Sequence, residues 1–434
     1  MKPTEFKRRR SQLMKMMGKN TIAILPSASE IIRNRDAHFP FRQDSDFLYL
    51  TGFNEPDAVM VLKPGRKHGE YILFCREKDP EQETWNGRRA GQEGAIETYG
   101  ADDSFPIDDI DDILPGLLEG TDSIFNIMGR YSEFDNQLIG WVSHIKRQSS
   151  RGLHVPSEFV ALDYLLHDMR LYKSREELRL MRKAAAISVR AHERAMKLCA
   201  PGMHEYQIAA EFDHEYRHHN AHHAYPAIVG GGANGCILHY TENNDELHDG
   251  DLLLIDAGCE VEGYASDITR TFPVNGTYSN AQREVYEIVL AAHQAAVKKV
   301  LPGNHWNDPH NAALRVITRG LVELKLLKGT VAKLIKEQAY RKFYMHRTGH
   351  WLGLDIHDVG DYKVGDQWRL LEPGMVMTIE PGIYIPARSR GVHRKWWNIG
   401  IRIEDDVLVT RQGREILTDA LPRKIADIEA LMAS

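Results

Sequence analysis

The course of the C-terminal half of the chain depends on two neighbouring segments, Leu252-Leu253-Leu254-Ile255-Asp256-Ala257-Gly258 and Gly263-Tyr264-Ala265-Ser266-Asp267-Ile268-Thr269-Arg270-Thr271. Together they predict a β-hairpin with one aspartate in each arm. A two-residue turn at Val261-Glu262 would place Asp256 and Asp267 directly opposite each other, and a bulge after the turn would shift the pairing by one residue. Opposed side chains stand about 4.5–5.5 Å apart at Cβ, where like charges destabilise the pair. We therefore expect a divalent cation between the two carboxylates.

Three later segments offer further metal ligands. The segment from His346 to Gly353 carries two histidines four residues apart, but its two glycines argue against a helix. Met375 to Glu380 is an apolar strand that ends on a carboxylate and is stopped by the Pro-Gly pair that follows. In Ile399 to Glu404, strict alternation of apolar and polar residues places Arg402 and Glu404 on one face.

Taken singly, each ligand candidate has an ordinary structural explanation. The two aspartates could face solvent on a hairpin, and an isolated histidine such as His350 is more often a hydrogen-bonded structural residue than a ligand. The local sequence does not choose between Glu404 and the adjacent Asp405 or Asp406. As a set, however, two aspartates, one histidine and two glutamates form an oxygen-rich group whose negative charge suits two divalent ions.

The order Asp256, Asp267, His350, Glu380 and Glu404 resembles the dinuclear metal set of the metallopeptidase family that contains methionine aminopeptidase, prolidase and aminopeptidase P. Further motifs are similar to bacterial aminopeptidase P, the Xaa-Pro aminopeptidase branch of that family. They are Gly235-Cys236-Ile237-Leu238-His239-Tyr240-Thr241-Glu242-Asn243, Asp256-Ala257-Gly258-Cys259-Glu260, Arg402-Ile403-Glu404-Asp405-Asp406, Phe41-Arg42-Gln43-Asp44-Ser45-Asp46-Phe47 and Thr51-Gly52-Phe53-Asn54-Glu55-Pro56. The resemblance spans nearly the whole chain. Prolidase, which splits only dipeptides, is the nearest alternative, and a metal-free relative such as creatinase would have lost the carboxylate ligands.

The resemblance implies an α+β fold, with a creatinase-type N-terminal mixed-sheet domain over residues 1–173 and a catalytic pita-bread domain over residues 174–434. The boundary coincides with a capping box, because Ser174 is followed three residues later by Glu177 at the start of a helical pattern. Before it, Thr21 to Leu25, Ala58 to Leu62 and Tyr71 to Cys75 are predicted strands. After it, we expect two long helices, an antiparallel region, a second helical region over roughly 279–340 and a second antiparallel region.

The activity that the resemblance implies is hydrolysis of the N-terminal Xaa-Pro bond of peptides by a hydroxide that bridges two divalent metal ions, with manganese as the expected metal. In this scheme Asp267 and Glu404 bridge the ions. Asp256 completes one site, and His350 with Glu380 completes the other. Glu380 also accepts the proton of the attacking water.

Five other residues match family positions around the substrate. By resemblance, we assign His346, His239 and His357 to three tasks around the substrate. These are stabilising the oxyanion, delivering a proton to the leaving nitrogen and forming the proline pocket. Arg402 and Tyr384 line that pocket. An Xaa-Pro bond is a tertiary amide without an N–H, so recognition of the ring by shape must replace a hydrogen bond to the amide.

Two residues of the predicted N-terminal domain, Asp36 and Trp85, resemble residues that reach a neighbouring subunit's active site in the family. This implies a homo-oligomer, either a tetramer or a dimer. One position departs from the family pattern, because Arg347 stands where a glycine usually follows the first histidine of its motif. The arginine reduces backbone freedom there, which concerns the pose of His346 and not the ligation by His350.

Composition is that of an ordinary soluble protein, and we expect a cytoplasmic location. The 434 residues are enough for two domains, and 42% hydrophobic with 27% charged residues is an ordinary balance. No apolar run approaches the ~20 residues that cross a bilayer, and the basic N-terminus lacks the apolar stretch of a signal peptide. The net charge of -6 disfavours a nucleic-acid partner, and four cysteines outside any CxxC pair predict reduced thiols. The expected partners are peptides with proline at the second position, without nucleic acid or membrane.

Overall fold

The computed structural model describes residues 1–148, Gly152 and residues 154–434. The chain forms two compact units, Met1–Arg170 and Leu171–Ser434. The boundary expected at residues 173/174 lies close to this division, and the roles assigned to the two domains remain predictions.

The N-terminal unit is built on a mixed six-stranded sheet. Its strands are β1 (Thr21–Pro26), β2 (Ile32–Asn34), β3 (Ala37–His38), β4 (Val59–Leu62), β5 (Tyr71–Cys75), β6 (Asp103–Pro106), β7 (Ser123–Asn126) and β8 (Glu158–Ala161). The order in the large sheet is β6-β5-β4-β1-β7-β8, while β2 and β3 form a separate exposed hairpin. β1 pairs antiparallel with β4 and parallel with β7, so the sheet is mixed as predicted.

Helices cover the central strands of this sheet. They are α1 (Pro3–Met17), α2 (Ser45–Thr51), α3 (Pro80–Asn86), α4 (Gly91–Glu97), α5 (Ile110–Leu118), α6 (Ser132–Gln148) and α7 (Asp163–Leu171). Every residue of β1, β4 and β5 is buried, as expected of strands covered on both faces. The apolar core joins Ile24 and Phe74 of the sheet to Leu114 of α5 and Trp141 of α6.

The C-terminal unit alternates helices with antiparallel strands, as the sequence predicts. Its helices are α8 (Arg175–Leu198), α9 (Glu205–His218), α10 (Asn280–Val297), α11 (Asn307–Glu323), α12 (Val331–Lys336) and α13 (Ile425–Met432). The predicted capping box opens α8, since Ser174 and Glu177 each accept the other's backbone N–H through their side chains. Within the described residues, none of the helices is both long and apolar enough to span a bilayer.

Two sets of antiparallel strands follow the two helix pairs. The strands are β9 (His222–His223), β10 (Ile228–Gly231), β11 (Leu252–Asp256), β12 (Cys259–Val261), β13 (Tyr264–Ala265), β14 (Thr269–Pro273), β15 (Lys363–Val364), β16 (Gln367–Trp368), β17 (Val376–Ile379), β18 (Gly382–Ile385), β19 (Ile399–Arg402), β20 (Asp405–Thr410) and β21 (Gly413–Ile416). The first set contains the sheets β10-β11-β14 and β13-β12-β9, and the second contains β17-β20-β21 and β18-β19.

The hairpin that carries the two aspartates has a different turn from the one predicted. Val261 pairs with Tyr264, so the turn residues are Glu262 and Gly263, both with positive φ (51° and 82°). This geometry favours glycine at the second position and matches the twist of a two-residue hairpin. Asp256 therefore lies opposite Thr269, and the prediction that it faces Asp267 directly is wrong by two residues. Because side chains alternate between the two faces of a strand, a register shift of two residues leaves Asp267 on the same face as Asp256, as its diagonal neighbour across the strands.

Candidate metal centre

The carboxylates of Asp256 and Asp267 meet at one hydroxyl group. Asp256 is the last residue of β11, and Asp267 precedes β14. The Tyr225 hydroxyl lies 2.6 Å from Oδ1 of Asp256 and 2.6 Å from Oδ1 of Asp267. The second oxygen of each aspartate has a different partner. Oδ2 of Asp256 accepts a hydrogen bond from Arg402, and Oδ2 of Asp267 lies near Nε2 of His350.

The loop with His350 is fastened to the strand with Glu380. The backbone N–H of Thr378 donates to the carbonyl of His350 (2.9 Å), and that of Glu380 donates to Thr348 (2.8 Å). Between these bonds the chain passes so close that a Cβ on Gly349 would lie 2.0 Å from the Thr378 carbonyl oxygen. Only glycine permits this approach, and it brings His350 and Glu380 to the same cluster.

The imidazole of His350 is oriented as a metal ligand requires. Its Nδ1 lies 2.9 Å from the carbonyl of Trp351, which it reaches by donating a hydrogen bond. Nε2 is the nitrogen left to bind a cation, and it lies 3.3 Å from Oδ2 of Asp267 and 3.9 Å from Oε1 of Glu380. Ligand atoms of Asp267, His350 and Glu404 all lie within 4.8 Å of one another. A backbone bond to the outer nitrogen is the usual way to fix a ligating histidine.

The electrostatics of the cluster favour added positive charge. Burial raises the pKa of Glu380 to about 7 and the pKa of Glu404 well above its usual range, and neighbouring carboxylates add to both shifts. Burial also raises the pKa of Asp256. Although burial disfavours imidazolium, the carboxylate of Asp267 raises the pKa of His350 to about 9. The donor set therefore fits hard divalent cations, which neutralise crowded oxygen ligands.

The structure distinguishes Glu404 from its two acidic neighbours. Asp405 lies between two cations, Arg270 at 2.8 Å and Arg423 at 2.7 Å, and 2.9 Å from Nε2 of His293. Asp406 accepts the backbone N–H of Asp267 at 3.1 Å. Glu404 accepts from the Thr269 hydroxyl (2.6 Å) and lies with the ligand cluster. The two following aspartates thus hold the scaffold around the site.

Arg402 links the cluster to the next wall of the site. Its guanidinium donates to Asp256 (2.6 Å), to the Thr269 hydroxyl (3.1 Å) and to the Tyr384 hydroxyl (2.8 Å). The Tyr384 hydroxyl lies 2.9 Å from Nε2 of His346, whose Nδ1 lies 2.7 Å from the Arg347 carbonyl. Burial, followed by the charge of Arg402, lowers the pKa of His346 to about 3. His346 is therefore a neutral imidazole with both nitrogens engaged.

A cavity of about 830 Å³ opens over the cluster. All five ligand candidates line it, together with His239, His346, His357 and Arg402. His357 packs edge-on against His350, with ring centroids 4.4 Å apart. Tyr384, expected as a wall of the proline pocket, is fully buried and is not among the lining residues. It contacts the cavity only through Arg402 and His346.

Arg347 occupies its unusual position without backbone strain. Its φ lies outside the left-handed region, so the segment does not require glycine there. The side chain lines the cavity, stacks 5.0 Å from the Trp368 ring and donates to Asn307. The arginine therefore adds a cation to the cavity wall and leaves His346 in place.

Asp36 and Trp85 belong to the N-terminal unit. Asp36 lies in the turn of the exposed β2-β3 hairpin, and Trp85 lies on α3 with 80% of its surface exposed. Their assignment to a neighbouring subunit's site stays a prediction.

Comparison with known proteins places this geometry in a family. A family model described as "Metallopeptidase family M24" matches residues 179–411, and one described as "Aminopeptidase P, N-terminal domain" matches residues 6–125. The chain belongs to metallopeptidase family M24. The expected fold class, a creatinase-type N-terminal domain followed by a pita-bread metallopeptidase domain, is confirmed.

Individual relatives of this M24 metallopeptidase cover it from end to end. The Xaa-Pro aminopeptidase of Escherichia coli strain K12 is 46% identical over 99% of this chain and 98% of its own length. Aminopeptidase PepP of Pseudomonas aeruginosa superposes with a TM-score of 0.99 at 58% identity, covering 100% of this chain and 98% of that one. Aminopeptidase P from E. coli with the inhibitor Pro-Leu superposes at 0.97 and 44% identity, with coverage of 100% and 98%.

Several residues of the M24 site were not singled out from the sequence. Tyr225 and Thr269 bond the ligand carboxylates, and Thr378 supports His350. Trp306 and Trp368 complete the cavity wall. Hydroxyl groups and tryptophans are common in any domain, so only the register of the hairpin could have indicated Thr269, which lies opposite Asp256.

Proposed function

We propose that this M24 metallopeptidase is an Xaa-Pro aminopeptidase that releases the first residue of peptides with proline at the second position. The observation that carries the proposal is that one cavity is lined by all five ligand candidates and by three further histidines, His239, His346 and His357. The E. coli and Haemophilus influenzae relatives are both Xaa-Pro aminopeptidases, which supports the same activity.

We assign two divalent cations, with manganese as the metal, to the five ligand candidates. Carboxylate and imidazole ligands suit Mn²⁺, and the oxygen-rich set disfavours soft metals. A solved E. coli relative is described as zinc-substituted, which supports a divalent-metal site. Held by Asp256, Asp267, His350, Glu380 and Glu404, the pair of cations would supply a hydroxide at neutral pH and polarise the scissile carbonyl.

The chain's own residues then position the substrate and move protons. Glu380 is the proposed base, because its carboxylate lines the cavity. Its Oε2 lies 3.5 Å from Nδ1 of His346. His239 lines the cavity and, among the described residues, has no hydrogen-bond partner, so its ring is available to protonate the leaving nitrogen. His346 is held by Tyr384 and would adjust its hydrogen bonds as the oxyanion forms.

The proline ring would be read by shape. Pro226, Ile228, Leu238 and Ile356 give the cavity apolar walls beside His357. Arg402 fixes the polar side of the cavity, and Tyr384 acts behind it as a positioning residue. The protonated amine of the substrate would be attracted to the ligand carboxylates, so a free N-terminus is required.

A matched set of peptides tests the proposed function: an Xaa-Pro-Yaa tripeptide, its alanine analogue, the acetylated tripeptide and the Xaa-Pro dipeptide. We expect the proline tripeptide to be cleaved and the acetylated form to be inert. Because shape discrimination is worth about 1–3 kcal/mol per methylene, weak cleavage of the alanine analogue is compatible with the proposal. Equal rates on the proline and alanine tripeptides would refute it, and cleavage confined to the dipeptide would reassign the chain as a prolidase.

The assembly and location form part of the same proposal. We propose a homo-oligomer, a tetramer or dimer, in which Asp36 and Trp85 reach a neighbouring subunit's site. Exposed apolar side chains at Ile31 (67%), Ile32 (62%) and Trp85 (80%) support an interface on the N-terminal unit. The four free cysteines are compatible with a cytoplasmic location. Sedimentation equilibrium of the wild type and a Trp85→Ala variant measures the assembly.

A further inference from the structure

A second cavity, which we name the α10–α13 cavity, lies in the C-terminal unit. It has a volume of about 520 Å³ and is lined by residues from the end of α10, from β21 and from the segment that leads into α13. Its lining shares no residue with that of the metal centre. The α10–α13 cavity is therefore separate from the cavity of the metal centre.

The side chains that line this cavity carry an excess of positive charge, whereas the chain as a whole is negatively charged. Lys298, Arg414, Arg423 and Lys424 line it, against two carboxylates, Asp419 and Asp427. Asp419 is already paired with Arg423. The whole chain carries a net charge of -6, so a lining with an excess of cations is a local feature.

Three of these cations have no ion-pair partner among the described residues: Lys298, Arg414 and Lys424 are exposed, and no carboxylate pairs with them. The α13 helix begins directly after Lys424, which provides no side-chain cap for the N–H groups of the first turn. Free cations and an uncapped helix N-terminus both favour an anion.

A buried histidine gives an independent indication of a ligand. His293 also lines the cavity although only 2% of its surface is exposed. Neither of its ring nitrogens forms a hydrogen bond within the part of the chain that the structure describes, although Nε2 lies 2.9 Å from the carboxylate of Asp405, so Nδ1 is the nitrogen left for a ligand. A buried polar atom of this kind is destabilising unless something bonds to it. The protonated oxygen of a hydrogen phosphate can donate to that nitrogen, while its other oxygens accept from the surrounding cations.

We propose that the α10–α13 cavity binds a small phosphate-bearing anion. The lysines and arginines would contact the phosphate oxygens, and the volume leaves space for an organic group attached to the phosphate. Arg423 belongs both to this cavity and to the ion pairs of Asp405, the residue after Glu404. The site is therefore connected, through Arg423 and Asp405, to the strand that follows Glu404.

Calorimetric titration of the metal-loaded enzyme tests this site, with inorganic phosphate and 3-phosphoglycerate as probes. The cavity variant is Lys298→Gln/Arg414→Gln, which removes two exposed charges. The control is Lys328→Gln/Lys336→Gln, which removes the same charge from exposed positions outside the cavity. Each titration is repeated with Pro-Leu present to occupy the catalytic cavity.

We expect the wild type and the control to bind phosphate with a Kd below about 1 mM. The cavity variant should bind at least about tenfold more weakly, because two charge-assisted hydrogen bonds are lost. Pro-Leu should leave the binding unchanged. Absence of binding up to about 10 mM phosphate, equal weakening in the control variant, or displacement by Pro-Leu would each overturn the proposal.

Discussion

Arg402 holds together more of the site than any metal ligand does by itself. Its buried guanidinium donates to Asp256, Thr269 and Tyr384, which come from three separate strands. A planar fork with several donors can satisfy three acceptors at fixed angles, whereas the single ammonium group of lysine cannot. The residue therefore orients the first aspartate and, through Tyr384, the histidine at position 346.

Removing the Tyr384 hydroxyl tests this chain of hydrogen bonds. In Tyr384→Phe, Nη1 of Arg402 and Nε2 of His346 both lose their partner, so we expect the free energy of unfolding to fall by about 1–3 kcal/mol. Turnover should fall by about tenfold, because His346 is no longer held. The measurements are urea unfolding and kcat on a proline tripeptide.

The matched control is Tyr278→Phe, which removes a buried hydroxyl that donates to the Thr271 carbonyl and lies outside the cavity. It should lose similar stability and keep its turnover. Equal turnover in the two variants would show that Tyr384 has only a structural role.

Glu380→Gln separates the charge of the proposed base from its shape. The amide is isosteric, so the fold should persist, while turnover should fall by at least about 10²-fold because the general base is lost. Steady-state kinetics and metal analysis by mass spectrometry give both quantities. Glu372→Gln makes the same change at an exposed position and should be neutral. Near-native turnover of Glu380→Gln with two metals bound would contradict the assignment.

At the scale of elements, the site depends on a loop that packs like a strand. Residues 348–350 pair with the end of β17 through two backbone hydrogen bonds, and this contact places His350 next to Glu380. The chain leaves β19 at Arg402 and reaches Glu404, whose backbone N–H donates to the Thr269 carbonyl of the first hairpin. Backbone hydrogen bonds thus bring together ligands from both antiparallel regions.

Gly349→Ala is expected to separate the loop from β17. The added methyl group would lie 2.0 Å from the Thr378 carbonyl oxygen, which forces the two segments apart. We expect a loss of about 1–3 kcal/mol in stability from overpacking, with weaker binding of Mn²⁺. Thermal unfolding and calorimetric Mn²⁺ titration measure the two effects.

Gly140→Ala is the control for a glycine without a close contact. Gly140 is exposed on α6, and no described atom lies within 4 Å of the position that a methyl group would occupy there. Alanine should therefore stabilise that helix by up to about 1 kcal/mol. Unchanged Mn²⁺ affinity in Gly349→Ala would show that the loop tolerates the displacement.

At the scale of the whole molecule, each unit has its own core, but the C-terminal unit concentrates buried negative charge at one point. Asp256, Asp267, Glu380 and Glu404 lie in one cluster, although more than a hundred residues separate the first pair from the second. Folding of the unit brings these charges together, so cations bound there should stabilise the fold as well as permit catalysis.

Removal of metal is therefore expected to affect stability and activity together. The protein should bind two divalent ions per chain, and a ligand at about 100 times its Kd adds about 2.7 kcal/mol to the stability of the folded state. Exhaustive chelation should lower the melting temperature and abolish turnover, and Mn²⁺ should restore both. The test is metal analysis with calorimetric melting. Full activity after chelation, or saturation by one ion, would contradict the dinuclear assignment.

The sequence by itself determined the identity of the ligand candidates and the type of most elements. An apolar run predicted the strand that ends at Asp256, alternation predicted the strand that carries Arg402, and Ser174 with Glu177 predicted the start of α8. These features are local, because side-chain periodicity and capping depend on residues a few positions apart. The residue roles themselves came from the resemblance to a family and remain proposals.

Only the tertiary structure decided how these residues meet. The turn at Glu262-Gly263 set the hairpin register, and the cations around Asp405 separated it from Glu404. Tyr384 is fully buried and hydrogen-bonds to Arg402 and His346, two residues that line the cavity. Register, burial and ion pairing depend on segments far apart in the chain, and their energies are defined only when those segments are packed together.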